Sequence, residues 1–209
     1  MFLKDAGHGQ PFDYDTNNDI IITNDYKTTV TYGTKTYGSS TGLMGVSFTP
    51  VSDGGDYTKL FSYDLELKEP MPIIDNENGI FGRVVENKRV WLYNYDYESL
   101  IDGTFDFSKT IARFDVTRAE PTTYSDGNTI SSQGFAIYNG FLYEVSGGYG
   151  KDAYVEVFDF SGNSMYKMKL GNGYTTSNSR EAEGIKIYDN NIYIISAYSG
   201  GKVDIGYYE

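Results

Sequence analysis

Three features of this 209-residue sequence predict an all-β protein built from a repeated strand–turn–strand unit. First, helix formers are scarce: 7 Ala and 9 Leu stand against 21 Tyr and 24 Gly. Aromatic residues suit a pleated, half-buried surface better than a helix. Second, one hairpin pattern recurs three times at nearly constant spacing. Third, an aromatic–Asp pair follows each of the first two of these hairpins, on a further short strand.

The three copies align without gaps at residues 82–93 (GRVVENKRVWLY), 134–145 (GFAIYNGFLYEV) and 184–195 (GIKIYDNNIYII), with leading glycines 52 and 50 residues apart. A β-branched residue sits three after each glycine: Val85, Ile137, Ile187. A turn pair follows at Asn87-Lys88, Asn139-Gly140 and Asp189-Asn190. Asn-Gly and Asp-Asn tolerate the positive φ that two-residue hairpin turns demand. The outer strands carry Phe114-Asp115 and Phe158-Asp159. A fourth, divergent copy starts at Gly9, with a longer loop before Ile20-Ile21-Ile22 and an outer strand bearing Tyr63-Asp64. The 73 residues from Gly9 to Gly82 imply an enlarged blade or extra strands. The last copy offers three strands (GIKIYDN, IYIISA, VDIGYY), and residues 1–5 are expected to supply its fourth. A repeat of this length made of several short strands fits a β-propeller, read here as a single domain over residues 1–209 with four blades countable.

The formal net charge of −12 argues against a nucleic-acid phosphate track and against docking on anionic lipid. No apolar run reaches the roughly 18 residues that span a bilayer. Residues 1–10 carry charge and two glycines and do not read as a secretion signal. With no cysteine, disulfide frameworks, thiolate nucleophiles and thiolate zinc sites are excluded.

The residues just before the four glycines are His8, Phe81, Gln133 and Glu183. If the copies are equivalent, these start the innermost strands and ring one mouth of the propeller. Ligands often bind there, where loops of every blade converge. The plain alternative is that they satisfy one another and the neighbouring turns. Asp13, Asp15, Asn17 and Asp19 alternate as in the first half of a calcium loop, but Asn18 and Asn24 stand where the turn glycine and the bidentate Glu belong. An Asx-rich hairpin loop is the competing reading. No other cofactor is implied. Glu181 and Glu183 on one strand do not make a glycosidase pair, which needs carboxylates flanking the bond from different elements. No G-x-S-x-G elbow or phosphate-binding glycine loop is present. The aromatics Trp91, Tyr95, Tyr97 and Tyr174, set among Asn, Asp and Ser, suit binding of sugars or polyols, with packing between blades as the competing reading for about half of the tyrosines.

The strings at residues 6–10 (AGHGQ), 132–137 (SQGFAI) and 181–185 (EAEGI), with FDFSG at residues 158–162, resemble the signatures of the TagC-like β-propeller family. That family is also found in receptor-binding tail proteins of phages that infect Gram-positive bacteria. The resemblance implies a five-bladed propeller, often a homotrimer on the virion tail beside other tail proteins. At the bacterial surface it would bind a cell-wall glycopolymer such as teichoic acid. The sequence departs from the family in that only MFLKDA precedes the GHG string. Two alternatives remain at this level. One is a glycan hydrolase or phosphodiesterase acting on the same polymer through His8, Gln133 and Glu183. The other is a bacteriocin of the helveticin-like group, which shares a similar propeller. The acidic charge repels a polyanionic backbone, so this reading favours contact with sugar substituents.

Overall fold

The computed structural model describes residues 12–32, 35–51, 54–67, 70–170, 180–198 and 203–208. These form an all-β, four-blade β-propeller arrangement of antiparallel sheets with a single short helix among the described residues. The chain divides into two compact units, Met1–Arg113 and Phe114–Glu209.

In the first unit, one sheet runs in the order β1 (Phe12–Asp15), β2 (Ile20–Tyr32), β3 (Lys35–Val51) and β4 (Gly54–Asp64). Its second and third strands have 13 and 17 residues, so the long spacing to the next copy is spent on an enlarged hairpin. The next sheet contains β5 (Met71–Asp75), β6 (Ile80–Val85), β7 (Arg89–Asn94) and β8 (Ala112–Asp115), again in chain order. The boundary between the units falls inside β8. Ile20, Ile22, Leu43 and Phe61 from one sheet pack with Ile74, Phe81 and Tyr93 from the other. Each such side chain contributes about 1.5–3 kcal/mol when fully buried.

A helix unseen in the sequence, α1 (Tyr97–Asp102), lies between β7 and β8. Six residues are too few for a periodic signal, but its ends are ordinary. Asp96 caps it, accepting from Ser99 N at 3.3 Å, and Gly103 closes it at φ 82°. The Tyr63 hydroxyl on β4 donates to the carbonyls of Ser99 (3.1 Å) and Leu100 (2.8 Å), which fastens the helix to the neighbouring blade.

In the second unit, β9 (Ser131–Tyr138), β10 (Phe141–Gly147), β11 (Tyr154–Phe158) and β12 (Ser164–Lys169) form one sheet. Three strands, β13 (Arg180–Tyr188), β14 (Asn191–Tyr198) and β15 (Val203–Tyr208), form the other, as the sequence predicts. The fourth strand expected from residues 1–5 lies outside the described residues. Ala136, Val145, Val155, Ala182, Ile185 and Ile194 build this core.

Two of the three turn pairs stand where the sequence puts them: Asn139 and Gly140 have φ of 49° and 78°, Asp189 and Asn190 48° and 61°. The first copy differs. Its left-handed residues are Glu86 and Asn87 (φ 52° and 57°), and Lys88 completes a three-residue loop between Val85 and Arg89. The same copy is also displaced by one strand. Gly82 lies on β6, the second strand of its sheet, because β5 precedes it; Gly134 and Gly184 lie on first strands. Phe81 therefore does not start an innermost strand.

Candidate functional site

Gln133 and Glu183 do occupy equivalent positions. Each is the extra residue of a β-bulge: pairing with the next strand passes from Ser132 to Gly134, and from Ala182 to Gly184. A bulge re-aims one side chain and bends the strand. The glycine that follows Gln133 is required by proximity, since a Cβ on Gly134 would stand 2.8 Å from the Gly184 Cα on β13. The two bulged strands thus meet backbone to backbone. Gln133 is buried, and its amide donates to Glu181 Oε1 at 2.8 Å and to the Gly147 carbonyl at 3.2 Å. Glu181 joins the two blades through Gln133. His8 and Tyr174 lie outside the described residues.

The acidic run performs the matching task in the first unit. Asp13 is buried, with Oδ2 accepting from Ile74 N on β5 at 2.7 Å and Oδ1 from Tyr14 N at 2.8 Å. Asp15 is fully buried; Oδ1 accepts from the amides of Asn17 (2.9 Å) and Asn18 (3.2 Å), and Oδ2 from Asn18 Nδ2 at 2.7 Å. The Tyr95 hydroxyl, from the next blade, also donates to Asp15 Oδ2. Asp19 accepts from the Tyr14 hydroxyl. The same lock recurs at the β5–β6 hairpin, where Asp75 accepts from Glu77 N (3.1 Å), Asn78 N (3.1 Å) and Asn78 Nδ2 (2.8 Å). Asp15-x-x-Asn18 and Asp75-x-x-Asn78 are therefore one Asx-turn device in two blades. Among the described residues, no group of three His, Cys, Asp or Glu side chains stands close enough to hold a metal ion. We expect Asp13→Ala to lower stability by about 1–3 kcal/mol in urea unfolding, because it removes a buried charged acceptor of the Ile74 N–H. Asn78→Ala, on an exposed turn, should cost no more than about 1 kcal/mol.

The predicted aromatics sit together in the second blade and its insertion. Trp91, Tyr95 and Tyr97 are half-buried, packed against the core of Phe81, Tyr93 and Leu100 with Phe105 and Phe107. Phe105 and Phe107 lie edge-on to each other at 4.8 Å, and both stand edge-on to Tyr93, at 5.7 and 5.6 Å. Burial, and then the Asp15 carboxylate, hold the Tyr95 hydroxyl above its ordinary pKa, so it stays a donor. Tyr95 thus ties one blade to the next through Asp15.

At the rim of this cluster stands a side chain that the sequence analysis passed over. Arg83 on β6 pairs directly with Trp91 on β7, and its Cζ lies 4.9 Å from the Trp91 ring, 5.1 Å from Phe107 and 5.5 Å from Tyr93. From β8, Arg113 Cζ stands 5.3 Å from the same Trp91 ring. Burial lowers the Arg83 pKa from its ordinary value; the Tyr93 hydroxyl opposes this, and the Arg113 charge adds to it. The repeat itself carried the signal. The residue after the leading glycine is Phe135 and Ile185 in the later copies, and Arg83 here.

No protein-family model matches this chain, and no curated protein sequence does. Among solved structures, the tail fibre of Staphylococcus aureus phage P68 is similar in fold, with a TM-score of 0.54 at 13% identity. The likeness covers 97% of this chain and 51% of that one, so the chain spans about half the length of the tail fibre. The computationally designed protein Ika4 (TM-score 0.40, 11% identity, 99% of this chain and 93% of that one) is more distant. So is Sqt1 of Saccharomyces cerevisiae (TM-score 0.37, 10% identity, 89% and 46%). At these identities the likeness is one of fold.

Proposed function

We propose that this chain is a phage tail β-propeller module that binds a cell-wall glycopolymer, of the teichoic acid class, on Gram-positive bacteria. The observation that carries the reading is the fold shared with a staphylococcal phage tail fibre over 97% of the chain. The ordered short strings AGHGQ, SQGFAI and EAEGI support it independently. Binding would use exposed aromatic and polar groups on a rigid scaffold, with no covalent step. Attachment to other tail proteins and assembly as a homotrimer belong to the same proposal.

Two tests separate this reading from its rivals. Fluorescently labelled protein should stain Gram-positive cells, and soluble teichoic acid should displace it; staining untouched by the polymer would overturn the reading. A glycan hydrolase or phosphodiesterase would release soluble product from purified polymer, where a binding module releases none.

A further inference from the structure

The protein has five arginines, and three face carboxylates: Arg89 stands 3.6 Å from Glu86, Arg118 2.7 Å from Glu144 and Arg180 3.6 Å from Asp204. The two without an ion pair among the described residues are Arg83 and Arg113, and they share one indole ring. Arg83 is only 8% exposed; beside Tyr93, its buried Nε–H meets no acceptor among the described residues. A buried charge without a counter-charge is costly. Cation–π contacts with the surrounding rings offset only part of that cost. Arg113 is exposed and adds a second positive charge beside the first. In a chain of net charge −12, this is a local concentration of positive charge with no ion pair among the described residues.

We propose that Arg83, Trp91 and Arg113 form a binding site for the phosphate of a polyol-phosphate chain. Arg113 reaches the solvent side of the anion, Arg83 supplies the buried charge, and the half-buried Trp91 ring takes the adjoining polyol or sugar carbons. A guanidinium fork matches two phosphate oxygens, which a lone ammonium does not. The site also resolves the conflict between an acidic protein and an acidic polymer, since the approach is attractive at this rim and repulsive elsewhere. The identity of the ligand rests on the cell-wall reading; the anion site itself does not.

Trp91 is the protein's only tryptophan, so its emission reports this site alone. The full chain is titrated at low salt with glycerol 3-phosphate and, separately, with glycerol, and its sedimentation with cell walls is measured in parallel. We expect a saturable change in Trp91 emission with glycerol 3-phosphate and none with glycerol. Raising the salt should weaken it, since screening acts on the exposed Arg113. Arg113→Gln, at an exposed position, should keep the fold and weaken binding about tenfold or more, as loss of a charged hydrogen bond predicts. Arg113→Lys should fall between the two. Absence of a saturable response, or an unchanged response in Arg113→Gln, overturns the site. A response without wall sedimentation keeps the site and overturns only the cell-wall reading. Wall sedimentation that Arg113→Gln leaves intact keeps that reading and overturns the assignment of the wall polymer to this site.

Discussion

Replacing Arg118 by Met is expected to lower stability by about 3–5 kcal/mol at pH 7, the range for breaking a buried ion pair by removing one partner. Two carboxylates, Glu144 on β10 and Glu156 on β11, are fully buried and directly paired across the strands. Arg118 neutralises the first: its Nε donates to Glu144 Oε1 (3.0 Å) and Oε2 (2.8 Å), and its Nη2 to Oε1 (2.7 Å) and to Ser132 Oγ (2.7 Å). Lys167 Nζ stands 3.0 Å from Glu156 Oε2 and donates to the carbonyls of Ala119 (2.6 Å) and Pro121 (2.9 Å), while Ala119 N donates to Glu156 Oε1 at 2.6 Å. The loop that follows β8 is thus pinned to its blade by two buried charges. Burial already raises the Glu144 pKa, against the pull of Arg118 and Ser132. Without Arg118 that rise is unopposed by a cation. A carboxyl raised above its unfolded value, about 4.3, contributes its full stability below that value and loses it as pH rises through the folded value. The deficit of the variant should therefore shrink from pH 7 towards pH 4 in urea unfolding. Adding Glu144→Gln should recover part of the loss at pH 7. A deficit below about 1 kcal/mol, typical of exposed pairs, would contradict this account.

Gly162→Ala should lower stability by about 2–5 kcal/mol, from two sources that a control separates. Gly162 has a φ of 86°, and a Cβ there would stand 2.1 Å from the carbonyl oxygen of Asp115. Left-handed backbone costs an L residue about 1–2 kcal/mol, and overpacking about 1–3 more. Gly127 has nearly the same φ, 82°, with nothing within 4 Å of the added carbon. Gly127→Ala should show only the smaller effect in thermal unfolding, and equal losses at the two positions would contradict the steric argument. The close approach also explains the FDFSG string. Asp159 Oδ1 accepts from Ser161 N and Asn163 N, both at 2.9 Å, which shapes the turn before β12. Thr117 N then donates to the Gly162 carbonyl at 2.8 Å, and Phe114 stacks on Phe160 at 6.1 Å. What reads in sequence as a family signature is, physically, a turn lock.

Legibility followed the locality of the cause. Asn139-Gly140 and Asp189-Asn190 could be read because each favours the φ that it adopts. Glu86 could not, since nothing intrinsic to Glu favours φ 52°; the loop imposes it. The strand Met71–Asp75 is five residues with no repeat partner, and its presence moved Gly82 from a first strand to a second. The alternating acids match only the first half of a metal loop and read more simply as an Asx-rich hairpin. Only the tertiary structure shows Asp13 reaching Ile74 and Asp15 receiving Tyr95. Gln133 was expected at a propeller mouth, but its bond to Glu181 could not be read, since it is set by the packing of β13 on β9. Arg83 and Arg113 are 30 positions apart and meet only through strand pairing around Trp91. The one trace in sequence was a cation where the other copies are apolar.

Sedimentation of the purified protein with Gram-positive cell walls, before and after extraction of teichoic acid, tests the central claim most directly. The account predicts co-sedimentation with intact walls and its loss after extraction. Equal sedimentation with both preparations, or with neither, would contradict it.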